Sequence, residues 1–100
     1  MNERFYMTLG LCRRAGLLSY GHDTVEMNII QKKARLILLA KDLSEKAKIK
    51  LERLARDYDT ELIKTELTME NFAKTVKKPA GILSVNDDAF AKKIKEHFTD

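Results

Sequence analysis

The stretch GHDTVEMNIIQKKARLILLAKD, residues 21–42, decides the fold of this 100-residue chain. Within it, the segment LILLA, residues 36–40, is apolar at every position. A strand covered by helices on both faces has this pattern, whereas a strand with one face in water alternates between apolar and polar residues. The stretch therefore predicts a fully buried strand at the centre of a layered α/β protein.

The first half of the same stretch predicts a helix. Gly21 ends the segment before it, and either Asp23 or Thr24 can serve as N-cap of a helix that continues to about Lys33. Apolar residues at helical spacing form the expected inner stripe of this helix: Val25 and Ile29, with Ile30 beside them.

The rest of the chain alternates between helical and extended patterns. Further helices are predicted over residues 3–15 with Gly16 as the stop, within 41–58 after Asp42 or Ser44 as cap, within 68–76 with Thr68 as cap, and after Asp87 as the cap of a last helix. Further strands are predicted at residues 17–20, 61–65 and 82–85, and residues 77–81 form a loop with the only proline. The expected inward residues of these helices are Phe5, Leu9, Cys12; Ala47, Leu51, Leu54, Tyr58; Met69, Phe72, Ala73, Val76; and Phe90, Ile94, Phe98.

This alternation predicts the fold class α/β: a three-layer α/β/α sandwich with a central mixed four-stranded sheet. No linker, repeat or low-complexity segment divides the sequence, so residues 1–100 are expected to form one domain. The direction of the short strand at residues 17–20 stays open, with an antiparallel position at the sheet edge as one option.

The apolar runs and the charge distribution of the sequence limit the classes of function that it can have. No apolar run approaches the length of about 18 residues that a membrane span requires, and no signal peptide is visible, so neither a membrane span nor export is predicted. A single cysteine cannot form an internal disulfide, which favours a reduced thiol in a cytoplasmic protein, and we expect a monomer. The net charge is +4, and residues 1–40 hold six basic side chains against three acidic ones, whereas residues 41–100 hold thirteen against twelve. A basic zone in the first part of the chain fits an anionic partner, of which nucleic acid is the commonest kind.

Catalytic chemistry finds little support in the sequence. The single cysteine, Cys12, lies on the inner stripe of its helix, and packing explains it better than nucleophilic chemistry. A pair formed by folding with His22 or His97 stays open, but these residues match no zinc pattern. No phosphate-binding glycine motif is present, and helix capping explains the pair Asp87–Asp88. The sequence therefore predicts neither an enzyme nor a cofactor site.

Several elements in one register carry a resemblance to a known family. They are Gly21, the polar pair Asp23–Thr24, the basic residue Arg35, the aliphatic strand at 36–39, and Ala40-Lys41-Asp42. This pattern resembles the kink-turn RNA-binding family of ribosomal proteins, the L7Ae/L30e group. The segments LGLCRRAGLLSYG (9–21) and NDDAFAKKI (86–94) are similar to a bacterial subgroup, so the resemblance covers about 90 residues.

The resemblance implies that the protein binds RNA. The RNA would contain a kink-turn, which is a sharp bend with tandem sheared G·A pairs, and it would belong to a ribosome or to ribosomal RNA. The helix start would meet the groove at the G·A pairs through Gly21, His22, Asp23, Thr24 and Met27. The loop of Lys77, Lys78, Pro79, Ala80 and Gly81 would cover the extruded nucleotide. The flanking backbone would be held by the basic residues Arg13, Arg14, Lys32, Lys33 and Arg35.

Three positions depart from the strongest binders of this family, which carry Asn, Glu and Lys where this chain has Asp23, Thr24 and Met27. The family's Leu-Gly-x-Ala-x-Gly segment is also missing, because no glycine lies between Gly21 and Gly81. A second hypothesis is therefore a protein-interaction module on the same fold, with a degenerate RNA site. A purely structural explanation, in which Gly21 is a turn residue and the polar pair after it is a helix cap, also stays open.

Overall fold

The computed structural model describes residues 3–99. Five helices and four strands alternate along this part of the chain. They are α1 (Glu3–Arg14), β1 (Leu18–Tyr20), α2 (His22–Ile30), β2 (Leu36–Leu39), α3 (Glu45–Asp57), β3 (Glu61–Lys64), α4 (Met69–Val76), β4 (Ile82–Val85) and α5 (Asp88–Lys95), and a 3-10 turn (Glu96–Phe98) follows α5. None of these helices is long and apolar enough to cross a membrane.

The four strands form one mixed sheet in the order β1-β4-β2-β3. Strand β4 is antiparallel to both of its neighbours, β1 and β2, whereas β2 and β3 are parallel. The predicted mixed sheet is confirmed, and the short strand β1 takes the antiparallel edge position. We call the end of the sheet at which β2 finishes the carboxyl end, and the end at which β2 begins the amino end.

Two apolar clusters, one on each face of the sheet, give the molecule its three layers. Leu36 and Leu38 of β2 point into a cluster with α1, α4 and α5, which contains the fully buried Phe5 and Phe72. The alternate residues of β2 point into a second cluster with α2 and α3, which contains Val25 and Leu51. Strand β2 is buried at every position, as the unbroken apolar pattern predicts, and the α/β/α sandwich is confirmed.

The start of α2 differs from the sequence prediction. The helix begins at His22, with Gly21 at the N-cap, and no side chain caps it, so the prediction of Asp23 or Thr24 as N-cap was wrong. The cause lies in Gly21, whose φ of 95° turns β1 directly into the helix. Because this turn needs no intervening loop, the helix starts before either polar residue reaches the cap position.

The end and the inner face of α2 also differ from the prediction. The helix ends at Ile30 rather than near Lys33, because Lys32 adopts a left-handed conformation with φ 61°. Ile30 is 44% exposed, so its predicted place beside the inner stripe was wrong. Asn28 lies there instead, because its amide donates a 3.0 Å hydrogen bond to the Ser19 hydroxyl of β1.

The other predicted caps are confirmed. Ser44 accepts from the Ala47 N–H at the start of α3, and Asp87 accepts from the Phe90 N–H at the start of α5. Thr68 and Asn71 form a reciprocal capping box on α4. Asp42, the other cap offered for α3, instead accepts a 2.9 Å hydrogen bond from the Met69 N–H, at the start of α4.

Candidate nucleic-acid interface

Backbone hydrogen bonds bring two of the predicted site segments together at the carboxyl end of the sheet. The Gly21 N–H donates to the Ile82 carbonyl at 3.3 Å, and the Ala40 N–H donates to the Gly81 carbonyl at 2.9 Å. The start of α2 and the loop before β4 therefore lie side by side, although about 60 residues of sequence separate them.

The start of α2 is open to solvent. His22, Asp23 and Thr24 are all exposed, and the first intrahelical bond runs from the Val25 N–H to the Gly21 carbonyl at 3.0 Å. The N–H groups of a helix's first turn have no acceptor within the helix, and no side chain supplies one here. Together with the positive end of the helix dipole, these groups favour an anionic ligand.

The loop of residues 77–81 is held at both of its ends. At its start, the Lys77 N–H donates to the Ala73 carbonyl, and its φ of 67° ends α4 in a left-handed conformation. At its end, Gly81 lies so close to its neighbours that an added Cβ would meet Leu43 Cδ1 at 2.7 Å. Lys78 and Pro79, between these anchors, are exposed at the tip.

The turn after β2 completes the carboxyl end. In this turn, the Lys41 N–H donates to the Leu67 carbonyl at 2.7 Å, and the Lys41 carbonyl accepts from Lys48 Nζ at 2.8 Å. Asp42 fixes the start of α4, and α4 leads into the loop of residues 77–81. Lys41 itself is exposed beside this loop. Lys41 was not among the predicted site residues, although its place within Ala40-Lys41-Asp42 points to it as a candidate.

The outer face of α2 is apolar next to the start of the helix. Met27 is 52% exposed and Ile30, one turn further on, is 44% exposed. Their neighbour Glu26 is paired with Lys50 of α3 at 3.2 Å. The part of this face next to the helix start therefore offers methyl and thioether surface rather than charge.

The structure places the five predicted backbone-binding residues at the other end of the sheet. The Arg35 N–H donates to the Val85 carbonyl, and the Leu17 carbonyl, just after Arg13 and Arg14, accepts from the Asn86 N–H. Both bonds mark the amino end, which lies about 16 Å from the carboxyl end, since the extended chain takes five residue steps from Arg35 to Ala40. These basic residues therefore do not join the start of α2.

Two of these five cations also have partners within the protein. Lys32 Nζ donates to the Tyr58 carbonyl at 2.5 Å, at the C-terminus of α3. Arg35 Nε lies 3.4 Å from Asp88 Oδ1 in an exposed ion pair. Arg13, Arg14 and Lys33 are exposed and form no ion pair with any residue between 3 and 99.

Comparison with known proteins identifies the family. The model of the "Ribosomal protein L7Ae/L30e/S12e/Gadd45 family" matches residues 3–95. The chain belongs to this family. The match confirms the resemblance seen in residues 21–42, and it spans both ends of the sheet.

One relative and two solved structures extend this result. The chain is 33% identical over 89 residues to a protein of Enterococcus faecium named "RNA-binding protein YlxQ", covering 88% of this chain and 84% of the relative. A Bacillus halodurans protein of unknown function superimposes with a TM-score of 0.86 at 21% identity, over 95% of this chain and 96% of that one. The Giardia lamblia 15.5kD RNA binding protein superimposes with a TM-score of 0.75 at 15% identity, over 96% and 86%. These structures share the family fold.

A small polar cluster holds α2 against the sheet in this family member. Ser19 accepts one hydrogen bond from the Asn28 amide and another from the Asn86 amide, each at 3.0 Å. Ser84, fully buried, donates to the Asn86 side-chain oxygen at 2.5 Å. Within residues 3–99, every buried side-chain nitrogen or oxygen has a hydrogen-bond partner. This cluster therefore positions the interface and is not itself a ligand site.

Cys12 has the environment of a packed thiol. Burial, with a smaller contribution from the charge of Asp87, raises its pKa to about 12, and Sγ donates to the Leu17 carbonyl at 3.3 Å. His22 lies at the end of the sheet opposite Cys12. His97 packs edge-on against Phe5, and Phe5 is about two turns of α1 away from Cys12. The structure thus brings neither histidine to the thiol, and residues 3–99 contain no group of three or more candidate metal ligands.

Proposed function

We propose that the protein binds RNA at the carboxyl end of the sheet, and that it stabilises a sharply bent, kink-turn-like structure of ribosomal RNA without catalysing a reaction. The observation that carries the proposal is the pairing of the uncapped start of α2 with the anchored loop of residues 77–81. Membership of a ribosomal-protein family, and a relative named as RNA-binding, support it.

The two segments suit different parts of a bent RNA. Free N–H groups at the start of a helix bind phosphate oxygens or base edges, and the exposed polar side chains of His22 and Thr24 can reach base edges in a groove. The loop tip offers the two ammonium groups of Lys77 and Lys78 for phosphates and the apolar ring of Pro79 for an unstacked base. Lys41 adds a third cation beside the loop.

The side chains at the start of α2 predict moderate rather than tight binding. An ionised Asp23 only accepts hydrogen bonds and repels phosphate. Met27 brings no charge to the groove, which removes a contact of about 1 kcal/mol or more relative to lysine. Shape recognition by backbone groups and the loop would then supply most of the selectivity.

The test is a titration against two RNAs at two salt concentrations. One RNA contains an intact kink-turn, and in the other Watson–Crick pairs replace the G·A pairs. We expect tighter binding to the intact motif, with a preference that persists at the higher salt concentration because it comes from shape rather than from counterion release. Equal and steeply salt-dependent binding to both RNAs would contradict kink-turn recognition.

A second candidate function is a protein-interaction module on the same fold, and the exposed pair Met27 and Ile30 favours it. Methionine and isoleucine one helical turn apart suit an apolar partner surface better than a phosphate backbone. In this case, the same titration would show no preference between the two RNAs at either salt concentration.

A further inference from the structure

The amino end of the sheet carries a basic surface that the proposed kink-turn site does not use. We call it the amino-end basic surface, and we define it by Arg13, Arg14, Lys33 and Arg35. These residues come from the end of α1 and from the segment between α2 and β2, and all four are exposed. Three chain segments therefore meet here: the residues after α1, the residues before β2, and the end of β4.

Hydrogen bonds to β4 set the spacing of this surface. The Leu17 carbonyl and the Arg35 N–H both bond to the end of β4, at Asn86 and Val85 respectively. Leu17 and Arg35 are therefore about two strand spacings, or about 10 Å, apart. Long, flexible side chains on either side of such a gap can contact several phosphates of one strand at once.

The charge of this surface is only partly neutralised within the protein. Among residues 3–99, only Asp88 forms an ion pair with one of the four cations, and its side chain is 86% exposed. The neighbouring Asp87 is committed to the N-cap of α5. Lys92 of α5 lines the same hollow as Arg35 and adds a further cation, and the ion pair of Lys95 with Glu61, which also lines the hollow, is neutral overall. The surface therefore keeps an excess of positive charge with arginine as its main donor.

We propose that the amino-end basic surface binds the phosphate backbone of a second RNA segment, so that the protein contacts RNA at both ends of its sheet. This proposal rests on the proposed function for the choice of RNA as the polyanion. Arginine favours phosphate because its planar guanidinium donates two parallel hydrogen bonds. The separation of about 16 Å between the two ends means that the nucleotides held at the start of α2 cannot also contact these side chains directly.

The experiment measures binding of the full chain to a labelled RNA duplex of about 16 base pairs that contains no kink. Binding is followed by fluorescence anisotropy between about 50 and 200 mM KCl, because each phosphate contact contributes about 0.7 to 0.9 to the slope of log K against log salt. The test variant is Arg13→Gln with Arg14→Gln. The matched control is Lys46→Gln with Arg53→Gln, which removes the same charge from exposed positions on α3.

We expect the test variant to lower the salt slope by about 1.4 to 1.8, from two lost phosphate contacts, while the control variant changes it by less than about 0.5. Equal losses in the two variants would overturn the proposal, because they would show that only net charge matters. Unfolding of both variants is followed in urea, so that a loss of structure is not mistaken for a loss of contacts.

A competition step separates this proposal from the proposed function. A short kink-turn RNA is added to the complex of protein and labelled duplex. Retention of the duplex, with the kink-turn RNA bound, supports two separate RNA surfaces, whereas stoichiometric displacement of the duplex overturns them. Failure of the kink-turn RNA to bind would contradict the proposed function alone, because the comparison of the two charge variants does not depend on it.

Discussion

The two ends of the sheet are built by different means. The carboxyl end depends on backbone geometry: the left-handed φ of Gly21, the left-handed end of α4 at Lys77, and the close contact of Gly81 with Leu43. The turns at the amino end also contain left-handed residues, Gly16 and Lys32, but the groups that this end offers to a ligand are long side chains, chiefly those of Arg13 and Arg35. Backbone groups with fixed positions suit recognition of shape, whereas flexible cations suit recognition of charge.

The chain path explains why neighbours in sequence serve different ends. Helix α2 runs from the carboxyl end to the amino end over nine residues, about 14 Å, and β2 then returns. Lys33 and Arg35, in the turn between them, therefore lie at the end of the sheet opposite Gly21. Closeness in sequence to a binding glycine is therefore no guide to closeness in space.

Replacing Gly81 by alanine should have the largest effect, and it should act on the carboxyl end. The new Cβ would lie 2.7 Å from Leu43 Cδ1 and 3.3 Å from Met69 Sδ, so packed side chains must move, and we expect a loss of about 1 to 3 kcal/mol in the free energy of unfolding. Urea denaturation measures it. The control is Gly10→Ala in α1, where the nearest atom is 3.7 Å away and helix propensity should increase stability. Equal stability of the two variants would show that the approach at Gly81 is not tight.

Removing the Asp42 carboxylate should have the next largest effect. Asp42→Ala deletes the hydrogen bond to the Met69 N–H, and we expect it to cost about 1 kcal/mol of stability and to loosen the loop that follows α4. Ser44→Ala removes a similar cap from α3 at a similar cost, but it leaves α4 intact. Kink-turn RNA should therefore bind more weakly to Asp42→Ala than to Ser44→Ala. Equal affinities would remove Asp42 from the support of the interface.

The architecture was predictable because its signals are redundant. The unbroken apolar run of β2 and the apolar stripes of the helices each require the same layers, and the caps Ser44, Thr68 and Asp87 act within three residues of their own position. Interactions between residues so close in sequence can be predicted from the sequence alone.

The interface was less predictable because its geometry is not local. The positive φ of Gly21 moved the helix start before Asp23, and the bond from Asn28 to Ser19 turned α2 so that Ile30 faces outward. Both effects depend on where β1 and β4 lie, which single-residue preferences do not encode. The position of Lys33 and Arg35 at the amino end likewise depends on the length of α2, because this helix carries the chain from Gly21 at the carboxyl end to the opposite end of the sheet.

Replacing Met27 by lysine tests whether the start of α2 is a weakened RNA site. We expect Met27→Lys to tighten binding of the intact kink-turn by about fivefold, or about 1 kcal/mol, because an ammonium group would then reach the groove. Ile30→Lys, one turn along the same exposed face, is the control for added charge, and it should strengthen both test RNAs equally and only slightly. A gain that is the same for intact and Watson–Crick RNA in Met27→Lys would favour the protein-interaction module.

The smallest expected effect concerns the amino end and the ion pair of Arg35 with Asp88. Asp88→Asn removes the ion pair with Arg35, whose atoms are 3.4 Å apart, and leaves a guanidinium free for phosphate. Exposed pairs contribute little, so stability should change by less than about 0.5 kcal/mol, while binding of the unkinked duplex should tighten by about twofold. Glu45→Gln is a close control, since Glu45 also lies in the first turn of its helix, is 82% exposed, and pairs with Lys48 at 3.4 Å. Because both substitutions remove one negative charge, a gain that appears only in Asp88→Asn locates the duplex at the amino end, and an equal gain in both would mean that the duplex responds to net charge alone.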